Sequence, residues 1–384
     1  MNIIIDNERE ACIGCNACVQ VCPKSCINMG LNEEGFWYPF IDEAKCNNCR
    51  LCQTCCPINQ ESFAPKLQYP EAYGAWNLDN DIKEKSTSGG VFTALATSVL
   101  EKGGVVFGAA FNQNMQVNHI MVDSIDDLIH LRGSKYVQSN IGDTYTIAKK
   151  YIKLGKKVLF SGTPCQIAGL YSFLRSDFEN LLTCDLVCKG VPSPKIFEDY
   201  LKHIEKKHKS KIIKYCFRDK SKGWKESTVI AEFLDGSKYS NLLRKDPFGY
   251  AFSKSLTLRP ACFNCKFSKI PRVADITIAD FWGVAKFYPE LYDNRGTSLL
   301  IINSEKGQNA FEQCANMIFF RKVELQKSLE NNKNATNSVN RPLERIHYFS
   351  DYHNKGYKYV LKKYMTKAPA LIRTFKRLFK NMKF

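Results

Sequence analysis

The 384-residue chain lacks any run of eighteen apolar residues, so no transmembrane helix is expected. Its first residues, Met1-Asn2-Ile3-Ile4-Ile5-Asp6, carry no basic segment and no small-residue cleavage site. No export is read from them, and the expected compartment is the reducing cytoplasm. A helix-turn-helix pattern and an RNA-binding aromatic signature are missing too. Nucleic acid therefore ranks last among the acidic partners that a net charge of +17 would attract. Acidic residues disappear altogether from Tyr352–Phe384. Cysteine, by contrast, is abundant: 17 residues, too many for a reduced interior without metal, where disulfides do not persist.

Eight of these cysteines form one repeated pattern. Cys12, Cys15, Cys18 and Cys22, followed by Pro23, are spaced as Cys46, Cys49, Cys52 and Cys56, followed by Pro57. Each run has the bacterial ferredoxin spacing for a cubane iron–sulfur cluster, in which three close thiolates hold one cluster and the fourth reaches the other. Cys12, Cys15, Cys18 and Cys56 are thus assigned to one cluster, and Cys46, Cys49, Cys52 and Cys22 to the second. A zinc ribbon needs two cysteine pairs and does not account for this doubled pattern. Cys26 and Cys55 have no place in the scheme and are read as buried small hydrophobes.

A hydrophobic content of 44% with 12% aromatics supports sizeable cores, and the length suits two or three domains. Residues 1–60 read as the ferredoxin-type unit, with short strands at Ile3–Ile5 and Phe36–Ile41. Residues 61–70 read as a linker containing Pro65 and Pro70. Beyond it, strands alternate with loops and helices in the α/β manner. Strands are expected at Glu71–Trp76, Val105–Phe111, Lys157–Ser161, Leu181–Val187, Lys211–Asp219, Ser227–Phe233, Ala274–Ala279 and Leu299–Ile302. Asp235-Gly236 signals a hairpin turn. Helices are expected from Val91, over about Ile141–Leu154, through Leu174, over Lys195–His208 and over residues 304–320. Asn331–Asn340 reads as a loop.

Two loops invite an anion. Ser86-Thr87-Ser88-Gly89-Gly90 feeds the helix that starts at Val91, where unpaired N–H groups gather. An ordinary capped helix explains the same pattern. Arg132 through Ser139 mixes cations, glycine, tyrosine and amide, which suits a dinucleotide or a solvated turn. A second cysteine group, Cys165, Cys188, Cys262 and Cys265, sits in turns, mostly at strand ends, that could converge. These thiols could complete a third cubane or a zinc site. Equally, Cys165 and Cys188 could be buried or catalytic thiols beside a zinc or redox Cys262-x-x-Cys265 pair. Cys184, Cys216 and Cys314 are read as core.

Taken in order, Ser86–Gly90, Gly133–Gln138, Gly162-Thr163-Pro164-Cys165-Gln166, Cys188-x-Gly190-x-Pro192-Ser193, Cys262-x-x-Cys265 and Asp275–Gly283 resemble one family. It is the beta subunit of the coenzyme F420 (deazaflavin) hydrogenases and dehydrogenases, and the match runs from about residue 70 to 325. The resemblance implies a multidomain α+β and α/β fold, a ferredoxin-like two-cluster domain followed by an α/β flavoprotein domain. It divides the chain into a flavin-binding part at 71–155 and a part with the third cluster at 156–325. Residues 326–351 are left as a linker and 352–384 as a basic tail. Ser88, Gly89, Gly90, Lys135, Tyr136, Gln138 and Thr163 then correspond to flavin-site residues, and Cys165, Cys188, Cys262 and Cys265 to the ligands of the third [4Fe-4S] cluster.

The implied activity is that of an iron–sulfur flavoprotein oxidoreductase. It would pass electrons between three [4Fe-4S] clusters and FAD, on to or from a deazaflavin-like or other two-electron substrate, with a redox protein or low-potential carrier as partner. No residue announces itself as a general acid, and the catalytic residues are not read. Some relatives resemble proteins of surface polysaccharide synthesis. The alternative is therefore a partner subunit in such a process, without a substrate of its own.

The basic tail has no counterpart in the family core. Its apolar residues recur every three or four positions between Lys355, Lys358, Lys362, Lys363, Lys367, Arg373, Lys376, Arg377, Lys380 and Lys383. It reads as a terminal helix docked on the core, or as an amphipathic helix that holds the protein peripherally at an anionic inner membrane face.

Overall fold

A computed structural model describes residues 9–60 and 67–366. The expected strand Ile3–Ile5, residues 61–66 of the expected linker and the basic residues from Lys367 onward lie outside these.

The cysteine-rich unit is a pseudo-repeat. Strands β1 (Ile27–Leu31) and β2 (Trp37–Ile41) pair antiparallel. Short helices Ala17–Val21 and Leu51–Thr54 grow inside the two cysteine runs. Each is entered through a residue in the left-handed region, Asn16 at φ 66° and Arg50 at φ 59°. These residues occupy the same place in their runs, so the matched spacing is also a matched backbone path.

The main body is an eight-stranded mixed sheet in the order β13-β3-β12-β11-β7-β6-β4-β5. Its strands are β3 (Glu71–Asn77), β4 (Val105–Phe111), β5 (Val117–Val122), β6 (Val158–Gly162), β7 (Leu181–Leu186), β11 (Ile276–Asp280), β12 (Ser298–Ile302) and β13 (Ile318–Val323). The four adjacent strands β11, β7, β6 and β4 run parallel. Parallel strands need crossovers, and two of those here contain the helices Thr144–Lys153 and Pro164–Leu174. All five residues of β12 are buried, as a continuous apolar run covered on both faces should be.

A second, three-stranded antiparallel sheet consists of β8 (Ile212–Asp219), β9 (Thr228–Phe233) and β10 (Lys238–Leu242). Gly236, at φ 82°, makes the expected hairpin turn between β9 and β10. Phe197, Tyr200, Tyr215, Phe217 and Phe248 fill the core beneath this sheet.

Two expectations need correction. Residues 304–320 are not one helix. The helix is Glu305–Gln313, and β13 follows after a single 3-10 turn. Phe319 and Phe320 decide this, because β13 pairs with β3 and places Phe319 on the Trp76 ring with centroids 4.2 Å apart. Strand β5, not anticipated, pairs with β4 and supplies His119 to the site described below. Residues 326–351, expected as a linker, carry the helix Leu325–Leu329 and most of Glu344–Lys355. Arg345, Tyr348 and Phe349 are buried there. The first part of the basic stretch continues as the helix Tyr357–Tyr364, with Val360 and Met365 buried in the core.

Candidate redox site

Loops at the carboxyl ends of β6, β7 and β11 open onto one large cavity of about 610 Å³. Ligands of open α/β sheets collect at this end. The cavity wall includes Ser86, Thr87, Ser88 and Gly90 from one anticipated loop, Lys135 and Tyr136 from the other, and Thr163. The two loops are tied together: Thr87 Oγ1 accepts from the Ser134 backbone N–H at 2.8 Å. Gly90 precedes the helix Val91–Leu100 at φ 81°, a conformation that favours glycine, and no side chain caps that helix. Its first N–H groups therefore stand at a wall shared with Arg132, Lys135, Lys189 and Arg218.

The electrostatics of the wall are uneven. Arg218 is paired with Asp280, and Asp185 with Arg272, a pair in which neither side chain is exposed. Lys135 Nζ donates to the carbonyls of His130 and Arg132 at 2.9 and 2.8 Å, and burial pulls its amine down to about 7. Lys189 is held by the carbonyls of Phe252 and Ser253 at 3.1 and 2.7 Å. Among the described residues, neither lysine is paired with a carboxylate. Tyr136 stacks on Phe252 with centroids 4.8 Å apart.

Two residues expected at the flavin site, Gly89 and Gln138, do not line the large cavity. Gly89 is buried behind the wall: its N–H donates to Ser298 Oγ, and an added Cβ would lie 2.5 Å from the Ala75 carbonyl. Gln138 points to the cysteine-rich unit, where its Oε1 accepts from the Trp37 N–H at 3.2 Å.

The structure adds residues that spacing did not single out. His119 is buried with Nε2 3.1 Å from the Ser161 carbonyl and Nδ1 2.5 Å from Ser139 Oγ. A carbonyl only accepts, so Nε2 carries the proton and Nδ1 accepts from Ser139. Burial pushes the imidazole down to about 4, which keeps it neutral. Gln166 Nε2 donates to Ser139 Oγ at 3.1 Å, and Gln166 Oε1 accepts from the Thr163 N–H at 2.9 Å. A continuous hydrogen-bonded chain thus runs from Ser161 through His119, Ser139 and Gln166 to Thr163. Trp282, stacked on Trp224 at 5.1 Å, also borders the cavity. Alternation along β5 was the available signal for His119; Trp282 lies within the Asp275–Gly283 motif, which gave it no role of its own.

Cys165, Cys188, Cys262 and Cys265 meet beside this cavity and line a smaller one together with Ile13 and Arg259. Cys165 lies in the first turn of the helix Pro164–Leu174, and Thr163 Oγ1 is 3.1 Å from its Sγ. Gly190 permits the convergence: an added Cβ would lie 3.1 Å from Cys262 Cβ. Burial raises the thiols of Cys165 and Cys262, to about 12 and about 11, and raises Cys188 well above the usual range. Neighbouring thiols contribute to each of these shifts. Among the described residues, no three His, Cys, Asp or Glu side chains close tightly enough to hold a single metal ion.

The motif cysteines fall into two neighbourhoods. Cys15 and Cys18 share one with Cys12 and Cys56, whose charges act on both thiols after burial. Cys52 lies near Cys46 and Cys49. Cys22 Sγ is 3.4 Å from Cys26 Sγ, and Cys26 in turn faces Cys46. Cys26 and Cys55 are buried, and Cys55 adjoins the group around Cys15. One apolar core holds Cys15, Cys18, Cys26, Cys52 and Cys55, with Cys22, Cys46, Cys165 and Cys265 packed at its border, whereas Cys12 packs against the core beneath the three-stranded sheet. Cys184 and Cys314 are buried in a separate core, and Cys216 is half-buried.

Three stretches of the chain match known protein families. Residues 11–59 match a 4Fe-4S dicluster domain. Residues 72–144 and 155–327 match the N-terminal and C-terminal domains of the coenzyme F420 hydrogenase/dehydrogenase beta subunit. An uncharacterized ferredoxin of Methanocaldococcus jannaschii is 42% identical over 59 residues, 15% of this chain and 73% of that protein. An uncharacterized protein of the same organism is 26% identical over 204 residues, 44% of this chain and about half (54%) of that relative. A solved structure of the F420-reducing [NiFe] hydrogenase complex from Methanosarcina barkeri is similar at 18% identity and a TM-score of 0.47, covering 77% of this chain and 92% of that one. With both domain matches in order behind a dicluster ferredoxin domain, the chain belongs to the coenzyme F420 hydrogenase/dehydrogenase beta subunit family of iron–sulfur oxidoreductases.

Proposed function

We propose that this chain is a three-cluster flavoprotein that exchanges electrons between a redox partner and a deazaflavin-like or other two-electron substrate. The observation that carries the reading is a shared wall. Cys188, Lys189, Gly190 and Val191 border both the large cavity and the small thiol-lined one. A group held by the four thiols and a ligand in the large cavity would therefore be separated by one stretch of chain.

The residues present fit these groups. Four thiols around a cavity suit a cubane, whose corners are four different irons and lie farther apart than the ligands of one ion. In the cysteine-rich unit, Cys12, Cys15, Cys18 and Cys56 would hold one cluster and Cys46, Cys49, Cys52 and Cys22 the other. The large cavity has the volume of a cofactor site. Its uncapped helix start and Lys135 suit the FAD pyrophosphate, with Ser88, Gly90, Tyr136 and Thr163 along the wall. When bound, the clusters pass single electrons, while a flavin stores two and transfers a hydride. The chain's own part is to hold, insulate and position. Cys15, Cys18 and Cys52 are buried, and the hydrogen-bonded chain from Ser161 to Thr163 fixes the stretch of the large cavity's wall that leads into the helix bearing Cys165.

Anaerobic purification with iron, sulfide and flavin quantified tests this directly. Three cubanes require about twelve irons per chain, by the rule of four irons per cubane. Cys262→Ala should lower that to about eight without touching the ferredoxin-type spectrum. About eight irons in both proteins would remove the third cluster. Full clusters without flavin would favour the electron-transfer partner subunit.

A further inference from the structure

Arg259 is 1% exposed, yet it spans two units of the chain. Its backbone carbonyl accepts from the Cys262 N–H at 3.0 Å, so it belongs to the turn that carries Cys262 and Cys265. Its side chain runs the other way. Nε donates to the Cys12 carbonyl at 2.6 Å, and Nη1 to the Trp37 carbonyl at 3.0 Å. The guanidinium lies 4.1 Å from the Tyr38 ring centroid. Arg259 therefore joins the loop of one ferredoxin-type cysteine run to the turn of the second cysteine group.

One end of the guanidinium is unused. Nη2 is buried and has no hydrogen-bond partner among the described residues, while Arg259 lines the small cavity with the four thiols. A buried donor left unmade is costly, more so when charged. Docking the cysteine-rich unit needs only Nε and Nη1, so docking does not account for the free end. The same wall carries all four cysteines, and sulfur of a reduced cluster accepts hydrogen bonds that tune its potential.

We propose that Arg259 is a positioning residue for electron transfer. Nη2 donates to the cluster held by Cys165, Cys188, Cys262 and Cys265, while Nε holds the Cys12 loop of the neighbouring cluster against it. The fixed cation favours the reduced, more negative state of the third cluster. This inference rests on the three-cluster reading and is separable from it.

The test begins with the unmodified protein, grown on 15N-arginine, reduced and examined by pulsed EPR. A 15N hyperfine coupling on the third cluster's signal is expected, and it should vanish in Arg259→Lys. In a redox titration, Arg259→Gln should lower the reduced-to-oxidised ratio of that cluster at fixed potential about tenfold. This is a shift of about 59 mV for one electron. Arg259→Lys, which keeps the charge, should recover most of it. Absence of the coupling in the labelled protein, with three cluster signals present, overturns the inference whatever the variants do. Only two cluster signals in the unmodified protein would instead overturn the three-cluster reading.

Discussion

Gly169 leaves its side-chain space to Cys15. A Cβ added there would lie 2.7 Å from Cys15 Cβ, 3.0 Å from its Sγ and 2.9 Å from the Tyr145 hydroxyl. Gly169 sits one turn after Cys165 on the helix Pro164–Leu174. One short helix thus touches a cysteine of each group, and the ferredoxin-type unit packs on the main body at this point.

That contact yields a first prediction. Gly169→Ala forces either the Cys15 loop or the helix to move, and overpacking of this kind costs about 1–3 kcal/mol. Lower iron content and a lower thermal midpoint are expected together. Unchanged iron and unchanged Tm would show that the docking tolerates the extra carbon.

The anion-binding wall can be tested through Lys135 and Gly90. Lys135→Ala should weaken FAD binding roughly tenfold, the worth of a charge-assisted hydrogen bond of about 1.5 kcal/mol. Gly90→Val should weaken it as well, since φ 81° strains a branched residue and its Cβ would lie 3.2 Å from Asn77 Cβ. The pH dependence has a definite sign. The Lys135 amine, pulled down to about 7, is charged below that value and neutral above it. Affinity of the flavin-free protein for FAD should fall as pH rises through about 7, and Lys135→Arg should flatten the profile. Titration by flavin fluorescence quenching measures all three. Equal FAD affinity in Lys135→Ala and the unmodified chain at pH 6 would remove Lys135 from the site.

His119 links the site to acid stability. Its folded value of about 4 is depressed from an ordinary value near 6.5, so the unfolded chain binds the proton more readily. The stability it contributes is complete above about 6.5 and is lost as pH falls toward 4. The full span from about 6.5 to about 4, at 1.36 kcal/mol per tenfold change in proton activity, amounts to about 3 kcal/mol. Urea unfolding at pH 7.5 and 4.5 should show a drop in midpoint that His119→Gln reduces. An equal drop in that variant would assign the acid sensitivity to other groups.

The basic end can be separated from the docked helix before it. Lys355 and Lys363 both bridge to Asp351, and Val360 and Met365 are buried, so removing these residues would disturb the core. A chain ending at Thr366 keeps them and removes Lys367, Arg373, Lys376, Arg377, Lys380 and Lys383. Each basic residue near an anionic leaflet is worth about 1 kcal/mol. Sedimentation with phosphatidylserine vesicles at low salt should retain the full-length chain and release the shortened one. Equal binding of both would place any membrane contact elsewhere.

Sequence alone carried the doubled cysteine pattern, because thiolates that share a cubane within one loop must sit two or three residues apart. It carried strands such as Val105–Phe111 and the family itself, since each motif is a local turn with fixed residue types. Only the tertiary structure brought Cys165, Cys188, Cys262 and Cys265 to one cavity, because strand order rather than spacing decides which turns become neighbours. The same holds for Gln138, which faces Trp37 instead of the large cavity, and for β13, whose Phe319 becomes a strand residue by stacking on Trp76. It holds most of all for Arg259, whose partners Cys12 and Trp37 lie more than two hundred positions away in the chain. Nearest neighbours in sequence bias a residue's backbone conformation, whereas long-range packing can override that bias, as in β13, and supplies the groups on which the chemistry depends.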